Sequence, residues 1–183
     1  MDQALAALLG AALGSAGTAG AAALTSWSTR WQARTQSAAQ HQQWQRQARR
    51  DAYSTFLTDA SQAREALSET WHLLRSATPD AELIEQQMHE ARAGVRAIQR
   101  AGATVAVEGP EEVLDSARDV EKHLALLYAS LRAYKERMAR GGDIADYVQQ
   151  CAQQRNHVRE ALEAFGAAAR TALTTPAHET GGA

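Results

Sequence analysis

Apolar residues recur at alternating steps of three and four along most of the chain after residue 50. This spacing places them on one face of an α-helix, and a period near 3.5 residues is typical of helices that pack as in coiled coils. Short breaks divide the pattern into four segments, so we predict an all-α chain in which residues 51–173 form an antiparallel, up-down, coiled-coil-like four-helix bundle. The first stripe comprises Tyr53, Leu57, Ala60, Arg64, Leu67, Trp71 and Leu74, with Phe56 and Ala63 beside it. The other stripes lie within residues 84–105, 113–138 and 144–172.

The breaks between the segments carry residues that end and begin helices. We expect Thr78 to cap the second helix and Pro79 to occupy its first position. In the last break, the Gly141-Gly142 pair allows a left-handed exit from the third helix, and Asp143 is the expected cap of the fourth. Such short connections favour antiparallel neighbours over a long coiled coil of separate chains.

Residues 4–24, ALAALLGAALGSAGTAGAAAL, carry no charge and are long enough to cross a bilayer as a helix. A cleaved signal peptide is disfavoured, because only Met1, Asp2 and Gln3 precede this run and Asp2 has the wrong sign for a basic leader. A soluble helical protein with a buried N-terminal helix is an alternative, because Ala and Gly are only weakly apolar. We expect residues 1–24 to form a single transmembrane anchor.

Amphipathic and basic residues follow the apolar run. Trp27 and Trp31 lie one helical turn apart, where indole rings favour the headgroup level, and Arg30 and Arg34 follow on the same side. These four residues predict a membrane interface in contact with lipid. The positive-inside bias then predicts a single-pass protein of the cell membrane, with its C-terminal body in the cytoplasm.

Two further segments flank the predicted bundle. Residues 25–50 are basic and rich in Gln, with no Gly or Pro, so we expect the anchor helix to continue through them as a juxtamembrane stalk. Residues 174–183 lack an apolar face, and we expect a disordered tail there.

A seam of small residues lies within the predicted anchor. Gly10, Gly14, Gly17 and Ala21 recur at steps of four, three and four, which places them on one helix face. Such seams let two membrane helices approach closely, so they predict self-association, although an Ala/Gly-rich helix also contains these spacings by chance.

Charge is unevenly distributed along the chain. The formal net charge is −2, yet residues 25–50 carry five arginines and no acid, whereas the rest of the chain, from residue 51 onward, has more acids than bases. The basic segment at residues 25–50 is short and the rest of the chain is acidic, which argues against a nucleic-acid partner. We expect the partners to be membrane lipid and either another protein or a second copy of the chain.

Arg64 and Arg155 occupy stripe positions near the middle of the first and fourth predicted helices. If those helices are neighbours, the two cations lie at similar height and form a buried polar site that needs a carboxylate or a bound anion. The alternative is that both long side chains reach out to the edge of the bundle.

Motifs for catalysis, cofactors or metals do not emerge from the sequence. Glu69 and His72 form the only Glu-x-x-His pair, and both fall off the apolar stripe. Cys151 lies on a stripe, where we expect a buried, inert thiol. There is no Gly-rich phosphate loop and no His-Glu-x-x-His. We therefore predict no cofactor, no metal site and no enzymatic activity.

Residues 44–57, WQRQARRDAYSTFL, together with the break VAVEGP at residues 105–110, resemble a group of uncharacterised, short, membrane-anchored helical proteins of actinobacteria. The resemblance implies a helical fold and supplies no activity. Our leading expectation is a non-enzymatic, membrane-anchored helical interaction or scaffolding protein. The alternative is a membrane-tethered sensor or ligand-binding bundle.

Overall fold

The computed structural model of the protein describes residue 40 and residues 43–174, and this part of the chain is all-helical. The first helix, α1, covers residues 43–74 of the described range. It is followed by α2 (Ala81–Glu108), α3 (Glu111–Ala139) and α4 (Ala145–Thr174). Four helices without a strand in these residues confirm the prediction of an all-α fold. The chain divides into two compact units, residues 1–45 and 46–183, and the helical bundle belongs to the second.

Several sequence predictions lie outside the described residues. They concern the anchor at residues 1–24 with its seam (Gly10, Gly14, Gly17, Ala21), the interface residues Trp27, Arg30, Trp31 and Arg34, and the tail beyond residue 174. Across residues 40 and 43–174, no helix combines sufficient length with sufficient apolarity to span a membrane.

Contacts between helix ends give the order of the bundle. Near the start of α1, Arg49 Nε donates to the Glu108 carbonyl at the end of α2, 2.8 Å away. Near the end of α3, Lys135 pairs with Glu85 near the start of α2. Consecutive helices α1, α2 and α3 therefore run antiparallel.

Aromatic contacts join α1 to the other helices at both ends of the bundle. Phe56 of α1 packs on Phe165 near the end of α4, with ring centroids 4.5 Å apart, so α4 returns antiparallel beside α1. At the opposite end, Trp71 and Tyr134 meet edge to face at 5.8 Å. Such pairs contribute about 0.5–1.5 kcal/mol beyond the area that they bury.

The helix caps agree with the sequence in the last break and differ in the first. Asp143 Oδ1 accepts the backbone N–H of Ala145 at 3.0 Å, and Gly141 adopts a left-handed φ of 66°, as predicted. The cap of α2 is Asp80 instead of Thr78. Its Oδ1 accepts the backbone N–H groups of Glu82 and Leu83 at 3.0 and 3.1 Å. A short carboxylate directly before the first helical residue satisfies two free N–H groups at the positive helix end.

The buried face of α2 matches its predicted stripe. The stripe of α1 is buried at Tyr53, Ala60, Leu67, Trp71 and Leu74, but its face is shifted toward Phe56 and Ala63. Phe56, Ala63 and Thr70, spaced by seven residues, are fully buried. Leu57 is only half-buried and Arg64 is exposed, although both belong to the predicted stripe. Successive residues of an α-helix point about 100° apart. The buried face of α1 is rotated from the predicted stripe by less than this angle.

Close packing of α1 against α2 explains the rotation. A Cβ placed on Gly94 of α2 would lie 3.0 Å from Ala63 Cα and 3.1 Å from Ala63 Cβ. Two small residues thus let the backbones approach closely, and Ala63 faces α2 while its neighbour Arg64 turns outward. In α4 the same kind of shift buries Ala161 and leaves Leu162 half-buried.

Candidate functional site

A groove opens between α1 and α4 in the middle of the bundle, with a volume of about 590 Å³. We call it the arginine groove. Its lining residues are Ser61, Arg64, Glu65, Ser68, Leu127, Ala152, Arg155, Asn156, Val158 and Arg159.

The groove follows from the sequence along the two helices. Ser61 and Ser68 on α1 face Ala152 on α4, and these short side chains leave space between the helices. Leu127 of α3 and Val158 of α4, with 1% and 0% of their surfaces exposed, form an apolar floor. Because Leu127 belongs to α3, the opening between α1 and α4 reaches the side of a third helix.

Arg64 and Arg155 meet in this groove, which agrees with the expectation that they lie at similar height. The site is not the buried one that we considered, because Arg64 is exposed and Arg155 is half-buried. The rotation of α1 toward α2 moves position 64 from the interior to the rim.

Sequence reasoning missed the third arginine of the groove, Arg159. It lies one turn after Arg155 on α4, off the apolar stripe, and its spacing of four residues was the available signal. Two like charges at this spacing repel by about 0.2–0.5 kcal/mol. A bound anion would relieve that repulsion.

The guanidinium groups of the groove have no ion-pair or hydrogen-bond partner in the part of the chain that the structure describes. Among the described residues, Arg64, Arg155 and Arg159 make no ion pair and no side-chain hydrogen bond; the three ion pairs present lie elsewhere on α2 and α3. Glu65 is the only carboxylate among the lining residues. The groove therefore presents three cations, with hydroxyl and amide groups beside them, to solvent.

A second depression, of about 600 Å³, continues from the arginine groove along the same two helices. We call it the end groove. Ser61 and Glu65 line both depressions. The end groove adds Arg50 on α1 and Arg170 on α4, near the start of the first helix and the end of the last.

Cys151 is fully buried on α4, as its stripe position predicted. Burial raises the pKa of its thiol to about 11, and the nearby charge of Arg155 offsets part of this rise. A thiol with this pKa is protonated at neutral pH, so it is a poor nucleophile and a poor metal ligand.

Two histidine rings lie close together on the surface of the described residues. The rings of His123 on α3 and His157 on α4 have centroids 5.1 Å apart, and Asp119 and Glu160 line the same shallow depression. In the described part of the chain, however, no three His, Cys, Asp or Glu side chains are grouped closely enough to hold a metal ion.

The chemistry available in the arginine groove is therefore recognition of negative charge. Guanidinium groups donate charge-assisted hydrogen bonds to carboxylate and phosphate oxygens in a planar, bidentate geometry. Comparison of the chain with protein families, with curated proteins and with solved structures found no match.

Proposed function

We propose that the protein is a non-enzymatic, membrane-anchored helical interaction protein whose bundle recognises an anionic partner through the arginine groove. The single observation that carries this proposal is the convergence of Arg64, Arg155 and Arg159 over an apolar floor, none of them with an ion pair or a side-chain hydrogen bond to another described residue. In this proposal residues 1–24 anchor the chain in the cell membrane, residues 25–50 form the stalk, and the up-down bundle lies in the cytoplasm.

The polar lining of the arginine groove favours a bundle that binds a ligand over a bundle that serves only as a passive scaffold. A passive scaffold gains nothing from three neighbouring cations, because their mutual repulsion costs stability. The membrane-tethered sensor or ligand-binding alternative draws on the same groove, since a small anion fits among the same three guanidinium groups.

Isothermal titration calorimetry of the purified full-length chain with tripolyphosphate tests the groove. Each charge-assisted hydrogen bond contributes about 1.5–3 kcal/mol. We expect the double variant Arg64→Gln/Arg155→Gln to bind at least tenfold more weakly than the wild type. The control Arg96→Gln/Arg100→Gln removes two exposed arginines of α2 that do not line the groove. Equal affinity of the groove variant and the control would contradict the proposal.

Fractionation of cells that express the intact chain tests the anchor. We expect the protein in the membrane fraction, resistant to extraction at high salt and released by detergent. Intact protein in the soluble fraction would overturn the anchor and favour the alternative of an N-terminal helix buried in a soluble protein.

A further inference from the structure

The arginine groove and the end groove form one continuous channel along α1 and α4. They share Ser61 and Glu65, and together they extend from Arg50 to Ser68 on α1. At a rise of 1.5 Å per residue this corresponds to a length of about 27 Å. A small anion fills only a fraction of that length.

The channel carries two groups of basic residues. Arg50 and Arg170 lie at one end, and Arg64, Arg155 and Arg159 lie in the half that reaches Ser68. Glu65 is the only acidic lining residue, so five cations face one carboxylate. This charge is opposite to that of the chain from residue 51 onward, in which acids outnumber bases. The channel is therefore a basic strip on an acidic body.

The floor of the channel is apolar, and its sides are lined by small residues. Leu57 and Leu173 line the end groove, and Leu127 and Val158 line the arginine groove. Gly166 lines the end groove without a side chain of its own, and the atom nearest to a Cβ placed there is at the flexible end of Arg170, 3.4 Å away. An apolar floor between basic walls complements a helix with an apolar stripe between acidic flanks.

We propose that this channel docks an acidic amphipathic helix of a partner protein, about 18 residues long, lying along the furrow between α1 and α4. The proposal rests on the proposed function, because it uses the same arginines, and it specifies the partner. A flat lipid surface reaches the exposed Arg64 but not the half-buried Arg155 or the apolar floor beneath it.

Fluorescence anisotropy with a labelled 18-residue peptide tests the inference. The probe carries Leu at helical steps of three and four, with Glu on both flanks, and the comparison peptide has the same composition in scrambled order. We expect the amphipathic probe to bind the full-length chain at least tenfold more tightly than the scrambled peptide. Equal affinities would show attraction by charge alone and would overturn the inference. Displacement of the bound probe by vesicles of phosphatidylglycerol but not by vesicles of phosphatidylcholine would also overturn it, because the anchor inserts into both and only the anionic headgroup would then compete for the channel.

Two variants in the end groove separate this inference from the proposed function. Arg170→Gln and Leu173→Ser alter parts of the channel that a small anion in the arginine groove does not reach. We expect each to weaken probe binding by at least fivefold and to leave the affinity for tripolyphosphate unchanged. Arg96→Gln is the matched control outside the channel.

Different results would refute the proposed function and the docked helix. If tripolyphosphate binds and the probe does not, the docked helix is wrong while the anion site stands. If neither binds, both proposals are wrong. Circular dichroism of each variant confirms that the bundle is folded before its affinity is compared.

Discussion

At the scale of the residue, folding changes the ionisation of Glu121 of α3. Its half-buried carboxyl packs against Gly102 of α2, where a Cβ would overlap it, and Phe56 lies beside the same glycine. Burial raises the pKa of Glu121, and the charge of Arg118 lowers it in part. The folded chain therefore favours the protonated form of this carboxyl more than the unfolded chain does.

We expect Glu121→Gln to be more stable than the wild type at pH 7. A raised pKa in the folded state means that ionisation above that pKa destabilises the fold, whereas below the unfolded-state pKa both states hold the proton and the penalty disappears. The gain in the free energy of unfolding should therefore shrink between pH 7 and pH 4 in urea titrations. Glu163→Gln, which removes an exposed carboxyl of α4, is the control, and an equal, pH-independent change in both variants would contradict the explanation.

Cys151 provides a second test at this scale. Because its thiol is fully buried and has a pKa of about 11, little of it is thiolate at pH 8. We expect iodoacetamide to leave the folded chain unmodified under conditions that alkylate it completely in urea, as measured by mass spectrometry. Alkylation at the same rate in both states would show that position 151 is accessible in the folded chain.

At the scale of the element, the helical glycines differ in what surrounds them. Gly94 lies against the backbone of Ala63, whereas a Cβ on Gly166 would meet only the flexible end of Arg170, at 3.4 Å. Alanine is favoured over glycine within a helix by about 0.5–1 kcal/mol. The same substitution should therefore have different effects at the two positions.

We expect Gly166→Ala to raise the free energy of unfolding by about 0.5–1 kcal/mol. We expect no such rise in the free energy of unfolding for Gly94→Ala, because the new Cβ would lie 3.0 Å from Ala63 Cα and would press α1 away from α2. Urea denaturation of both variants measures the difference. Equal stabilisation would mean that α1 and α2 separate without cost, and that their close approach does not determine the rotation of α1.

At the scale of the whole molecule, the groove results from how the four helices pair. α1 is drawn toward α2 through Ala63 and Gly94, and the shifted face of α4 buries Ala161, which lies beside His123 of α3. Between the two pairs, Phe56 packs on Phe165 and Trp71 packs on Tyr134, and the arginine groove opens between the levels of these two contacts. Unpaired cations placed in that space lower stability in the absence of a ligand.

Tripolyphosphate should therefore raise the midpoint of thermal unfolding of the wild-type chain. A ligand that binds only the folded state, at 100 times its Kd, adds about 2.7 kcal/mol to the free energy of unfolding. We expect a rise of the midpoint in the wild type and in Arg96→Gln/Arg100→Gln, measured by calorimetry, and little change in Arg64→Gln/Arg155→Gln. A similar rise in all three would indicate binding elsewhere on the chain.

Much of the helical architecture could be predicted from the sequence. The stripe of α2 from Ile84 to Val105 is buried as predicted, and the turn at Gly141 and the cap at Asp143 are confirmed. These features depend on local rules, namely the 3.6-residue period of the helix, left-handed φ at glycine, and capping by a short carboxylate. The position of Asp80 as the cap of α2 was missed, because several residues of that break are able to cap.

The sequence by itself determined the number and approximate limits of the helices in residues 51–173, because periodicity and connection length are properties of neighbouring residues. It placed Arg64 and Arg155 at similar heights only on the condition that the first and fourth helices are neighbours, which the contact of Phe56 with Phe165 supplies. The stripe also predicted the inward side of α1, and only the tertiary structure decided that Leu57 and Arg64 lie at the edge of that face. The Ala63–Gly94 approach joins residues of two different helices, so no pattern within α1 reveals it. That contact turns Arg64 to the rim, where it shares a groove with Arg155 and Arg159.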